Sequence, residues 1–127
     1  MPFTLLLAAA SAHRTVVSWA EGRLLHLEGH ALVETYAVLT RLPGDVRVAP
    51  HDAVRLLEHN FESPLVLDAE TAASLPGRLA GSGIAGGATY DALVALAAAQ
   101  SGLALATRDA RARGTYHAIG VEVVEVG

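Results

Sequence analysis

Apolar and polar positions along this 127-residue chain fall into short blocks of alternating period. Helical periodicity predicts a helix from about Leu5 to Ala20, and after Gly22 the apolar run "LLHL" at 24–27 reads as a strand. "HALVETYAVLTRL", 30–42, has helical spacing and is stopped by Pro43-Gly44. Pro50 and Asp52 favour the first turn of another helix over 50–59, and "PLVLD", 64–68, reads as a strand.

A helix from about Ala69 to Leu79 follows, with Pro76-Gly77 as a point of kinking or breakage, and "GSGIAGG", 81–87, is a loop. Thr89 is placed to cap a helix running to about Gln100 and ending before Gly102, which puts Asp91 in its first turn. "LALAT", 103–107, is uniformly apolar, as a strand buried on both faces of a parallel sheet would be. A helical turn at 109–117 leads to "VEVVEV", a closing strand whose more polar face suits a sheet edge. Strands alternating with helices imply right-handed crossovers and a three-layer α/β fold in a single domain over 1–127.

Composition narrows the chemistry. Apolar residues make up 52% of the chain and charged residues 17%, which suits a compact core. Without cysteine there is neither a disulfide framework nor a thiolate zinc site, so any metal must be held by carboxylate, imidazole or carbonyl groups. The net charge is −4 and every cation is arginine, so a nucleic-acid partner would be gripped locally and not by a broad basic field. The opening "MPFTLLLAAASAHR" lacks the cationic region of a signal peptide, and its apolar run is too short to span a membrane; a cytoplasmic protein is expected.

In an open parallel sheet, ligands gather at the carboxyl ends of strands and at the helix starts that follow them. Asp109 ends a strand, Asp91 opens a helix, and Glu34 lies in the first turns of the helix after "LLHL", so three acids converge on one edge. Clustered carboxylates repel one another unless a cation sits among them, and oxygen ligands suit Mg²⁺ or Mn²⁺. The implied chemistry is metal-assisted phosphodiester hydrolysis. A second reading stands beside it: Asp91 as a helix-dipole residue and Asp109 as the cap of the next helical turn. Glu34 resists such a reading, because Val33, Ala37 and Val38 imply a largely buried helix in which an unpaired acid is costly.

The blocks "ALVETYAVLTRLP", "GGATYDALVALAAAQSGLALATRD" and "GVEVVEV" resemble the PIN domain, in particular the VapC-like toxin ribonucleases of bacterial toxin–antitoxin pairs. The resemblance covers nearly the whole chain from about residue 20. It implies a PIN-like three-layer fold with a mostly parallel central sheet flanked by helices. It also implies a Mg²⁺- or Mn²⁺-dependent endoribonuclease in which Glu34, Asp91 and Asp109 match the second, third and fourth family acids. Thr107 matches the hydroxyl residue two positions before the last acid. The implied partners are an RNA substrate, a cognate antitoxin protein and a second copy in a homodimer, with no membrane. One departure stands out: the family's first strand ends in an aspartate, whereas no aspartate here precedes Asp45. Either that strand is missing from this chain, or "FTLLLA" fills its place with Thr4 near the aspartate position. A catalytically impaired module that binds an antitoxin or itself is the alternative function.

Other residues carry weaker signals. Arg108, Arg111 and Arg113 flank Asp109 where an RNA backbone would pass, and a guanidinium fork suits phosphate; a solvated turn is the competing reading. His30 and Glu34 share a helix face at a metal-ligating spacing, but His30 reads as a structural histidine, since the other candidate ligands are oxygen donors. His13, His26, His51, His59 and His117 show no ligand spacing, and Trp19 and Tyr36 are assigned to the core. The loop "GSGIAGG" lacks the Lys-Ser/Thr pair of a phosphate-binding loop, and a small nucleotide-binding α/β protein is disfavoured.

Overall fold

The computed structural model describes residues 3–5, 24–107 and 110–125. Its elements in chain order are β1 (Phe3–Leu5), β2 (Leu25–His26), α1 (Gly29–Arg41), α2 (Pro50–Asn60), α3 (Ala69–Gly81), α4 (Ala88–Gln100), β3 (Ala104–Thr107), α5 (Arg113–Ile119) and β4 (Val123–Glu125). Short 3₁₀ turns at Gly44–Val46 and Ala110–Ala112 complete them. The strands form one parallel sheet in the order β2-β1-β3-β4, with Thr4 opposite both His26 and Leu105, and Thr107 opposite Glu125.

Phe3–Leu5 is a central strand, hydrogen-bonded on both sides, and not the start of a helix at Leu5. An apolar run that short fits either period, and pairing with two neighbours decides it. The remainder of the helix expected to Ala20, with His13 and Trp19, lies outside the described residues.

The expected strand at 64–68 reduces to a single bridge between Leu65 and Glu28. The segment still runs along the outer edge of β2: Glu62 N–H donates to Leu25 O at 2.7 Å, Leu65 N–H to Leu27 O at 2.9 Å, and Gly29 N–H to Leu65 O at 2.9 Å. Pro64 has no N–H to give, which interrupts a regular ladder. Helix α3 passes through Pro76 without a break. Thr89 does not cap α4; the helix begins two residues earlier than such a cap would place it, at Ala88, its cap is Gly87 with no side-chain bond, and the glycine-rich turn winds in through Thr89 N–H to Gly86 O at 3.1 Å.

All four residues of β3 are buried, and since successive strand residues face opposite ways, both faces of the sheet are covered there. One core cluster joins Val94, Ala95 and Ala98 of α4 to Leu105 of β3, Tyr116 of α5 and Val121, with Ala31 of α1 packed against it. A second joins Leu67 to Leu96 and Ala97, so α4 is buried on most of its circumference. Its alanines permit the close approach that larger side chains would block. Tyr36, assigned to the core from sequence, is half-buried.

Asp68 caps α3, its carboxylate accepting from Thr71 N–H at 2.7 Å. That backbone hydrogen bond, followed by the one from the Thr71 side chain, holds the carboxyl below its ordinary value of 3.8. A depressed folded-state value means that the charged cap contributes stability above the ordinary value and loses it as pH falls through the folded one. Thermal melts of Asp68→Ala should therefore show a lower midpoint than the parent at pH 7, with the gap closing as pH drops below 3.8.

Candidate active site

Helix α1 starts where β2 ends. Its cap is Glu28, whose Oε1 accepts from Ala31 N–H at 3.1 Å. Glu28 is only 4% exposed, and the sequence reading passed over it; the polar break between the apolar "LLHL" and Gly29 was the available signal. The inward stripe of α1 includes Ala31 and Thr35, the latter buried because its hydroxyl donates to Ala31 O at 2.7 Å. Glu34 lies beside that stripe and not on it. Its side chain is 63% exposed, and Val33 and Val38 are exposed as well, so the expectation of a largely buried helix face around this acid is incorrect.

What Glu34 does touch is His30, whose Nδ1 lies 3.4 Å from the Glu34 Oε2, one helical turn back. The His30 ring in turn stacks on Tyr90, with centroids 4.8 Å apart and planes inclined by 16°. Tyr90 sits in the first turn of α4 immediately before Asp91, which is half-buried there. The opening turns of α1 and α4, carrying two of the three predicted acids, are thus joined by an aromatic contact. Tyr90 was not singled out from sequence; an aromatic next to an acid at a helix start was the only hint.

The third acid, Asp109, lies outside the described residues, as does Arg108. Thr107 is buried at the end of β3, two positions before Asp109. Arg111 is exposed, and Arg113 forms an ion pair with Glu125 of β4. Glu125 is in register with Thr107, so the Arg113 guanidinium stands near the carboxyl end of β3. His51, His59 and His117 are exposed, while His26 is half-buried with Nδ1 2.7 Å from Ser63 O.

Among the described residues no group of three or more histidines and acids is close enough to hold a metal ion. Glu34 and Asp91 are hard oxygen donors, the kind that suits Mg²⁺ or Mn²⁺, and in that respect the donor set fits such an ion. No helix among the described residues is long and apolar enough to cross a membrane.

Comparison with known proteins agrees with this architecture. The chain matches the PIN domain over residues 4–118, and it belongs to the PIN-domain family. It is 58% identical over 120 residues to Ribonuclease VapC27 of Mycobacterium tuberculosis (strain ATCC 25618 / H37Rv), covering 94% of this chain and 88% of that protein. It is 44% identical over 116 residues to Ribonuclease VapC40 of Mycobacterium tuberculosis (strain CDC 1551 / Oshkosh), covering 84% and 87% respectively. Among solved structures it resembles a chain of FitAB bound to the IR36 DNA fragment, at TM-score 0.70 and 19% identity over 98% of this chain and 94% of the other. It also resembles a chain of VapBC2 from Rickettsia felis bound to a DNA fragment from their promoter, at TM-score 0.65 and 14% identity over the full length of both. At such low identities these two likenesses speak to the fold alone.

Proposed function

We propose that this protein is a divalent-metal-dependent endoribonuclease, the toxin of a toxin–antitoxin pair, acting in the cytoplasm on RNA phosphodiester bonds. The observation that carries the reading is the junction of α1 and α4: the His30–Tyr90 stack spans the turns bearing Glu34 and Asp91 in a chain 58% identical to a VapC ribonuclease. Asp109, which follows β3 by two residues, is the third acid of the set.

In this reading Glu34, Asp91 and Asp109 hold Mg²⁺ or Mn²⁺. Such an ion, when bound, lowers the pKa of a coordinated water and offsets charge on the phosphate under attack. The protein's own side chains do the rest. Glu34 and Asp91 sit in the opening turns of α1 and α4, rigid elements that hold their positions. Thr107, buried at the last position of β3, anchors the strand end that leads to Asp109. Arg108, Arg111 and Arg113 offer guanidinium groups to the RNA backbone, and the Glu125 ion pair orients the last of them. With a net charge of −4, the chain depends on these few arginines to draw in a polyanion.

A cognate antitoxin and a second copy of the chain are the expected protein partners, as the family likeness to the VapC ribonucleases implies. The test is cleavage of an RNA substrate by the purified chain with Mg²⁺ or Mn²⁺ and with chelator. Cleavage that appears with metal and stops with chelator is expected; cleavage indifferent to both would overturn the metal reading.

A second reading rests on one specific feature. No aspartate precedes Asp45, and the central strand β1 reads Phe-Thr-Leu where the family's first strand ends in its first acid. A chain one carboxylate short would bind metal weakly and serve as a module that engages an antitoxin or itself. Tight association with an antitoxin together with no metal-stimulated cleavage would favour this reading over the first.

A further inference from the structure

We propose that His30 and Tyr90 form a positioning device for Glu34: the Tyr90 ring fixes the imidazole, and the imidazole fixes the carboxylate. This rests on reading Glu34 as a metal ligand and adds two residues that chemistry alone would not assign to the site.

Three observations support it. The Glu34 side chain is 63% exposed, and a glutamate that open to water has three torsions to settle before it can serve as a ligand. Its neighbour is the His30 Nδ1 at 3.4 Å, on a ring with only two torsions of its own. That ring lies nearly parallel to Tyr90 at 4.8 Å, a contact that comes from another helix and removes its remaining freedom. The chain of contacts runs from the residue beside Asp91, across the gap between helices, to the acid on α1.

Helix packing does not require this stack. Ala31 already seats α1 against the core cluster of α4, whereas Tyr90 is 55% exposed and the His30 side chain 42% exposed. A contact left in water at the junction of two acid-bearing turns contributes little burial, and its consequence lies in orientation. Partners that orient metal-binding side chains commonly account for about 10–100-fold in metal affinity.

The experiment is Mn²⁺ binding to the full metal-free chain, followed by the electron paramagnetic resonance signal of free Mn²⁺, with RNA kinetics alongside. Parent protein, Tyr90→Ala, Tyr90→Phe, His30→Ala, the double variant carrying both Tyr90→Ala and His30→Ala, and Glu34→Gln are compared, each checked for a cooperative melt. Tyr90→Ala and His30→Ala should each weaken Mn²⁺ binding about tenfold, and the double variant should lose no more than either alone. Tyr90→Phe, which keeps the ring, should bind as the parent does. In metal-free protein the His30 ring protons should be shielded by the Tyr90 ring in the parent and in Tyr90→Phe, and unshielded in Tyr90→Ala.

Unchanged Mn²⁺ affinity in both alanine variants, with affinity lost in Glu34→Gln, would overturn the positioning role and leave the metal site standing. A raised KM for RNA in Tyr90→Ala at unchanged Mn²⁺ affinity would also overturn it, making Tyr90 a stacking surface for a base. Parent-like Mn²⁺ binding by Glu34→Gln, or no binding by the parent, would remove the metal reading itself.

Discussion

Leu105→Ala should destabilise the fold by about 2–5 kcal/mol, the range for truncating a buried leucine that leaves a cavity behind. Leu105 has no exposed surface and sits in β3, flanked by β1 and β4, with Val94, Ala95, Ala98 and Tyr116 in the cluster around it. Those neighbours cannot close the gap easily, because the sheet register holds the backbone and the alanines of α4 have no longer side chain to swing inward. A domain of this size is stable by roughly 5–15 kcal/mol, so the loss is a large share of the total. Urea denaturation measures it directly. A loss below about 1 kcal/mol would mean that β3 is not covered on both faces.

Asp91→Asn should reduce metal-dependent RNA cleavage by at least about 100-fold, the upper end of what losing even an outer-shell metal partner costs. The substitution keeps the shape of the side chain while removing the charge that attracts the cation. Asp91 is half-buried in the first turn of α4, where the helix dipole already favours negative charge, so some loss of stability is expected as well. The kinetic and structural effects separate by comparing cleavage well below the melting transition. Equal rates for variant and parent would reduce Asp91 to a helix-start residue, the alternative that its position always allowed.

Helices were read more accurately than strands, and the difference has a physical basis. The reading of 30–42 and 50–59 as helices falls within a residue or so of α1 and α2, because an amphipathic stripe is a local property of the chain. β3 was legible for a related reason: four consecutive apolar residues and Thr107, bounded by Gly102 and Arg108, have few other places to go. β1 was ambiguous because three residues define no period, and its strand character comes from neighbours 22 and 101 positions away, Leu25 and Ala104 opposite Phe3. The bridge at Leu65 was overread as a full strand for the converse reason: Val66 and Leu67 have strand propensity but no partner ladder.

At the site, the acids were legible but their surroundings were not. Val33, Ala37 and Val38 implied that Glu34 was buried, yet the stripe that packs inward includes Ala31 and Thr35, with Thr35 admitted because its hydroxyl bonds to its own helix. Residue type alone cannot report that compensation. The His30–Glu34 spacing was visible and read as structural; the structure adds Tyr90, from a helix some sixty residues later, and turns a local pair into a link between two acid-bearing turns.

The most direct test of the central claim is a crystal structure of the chain grown with Mn²⁺, with data collected to reveal the metal's anomalous signal. The account predicts a single peak at the carboxyl edge of the sheet, with oxygens of Glu34, Asp91 and Asp109 all within coordination distance. A peak elsewhere, or Asp109 turned to a different face of the molecule from the other two, would contradict it.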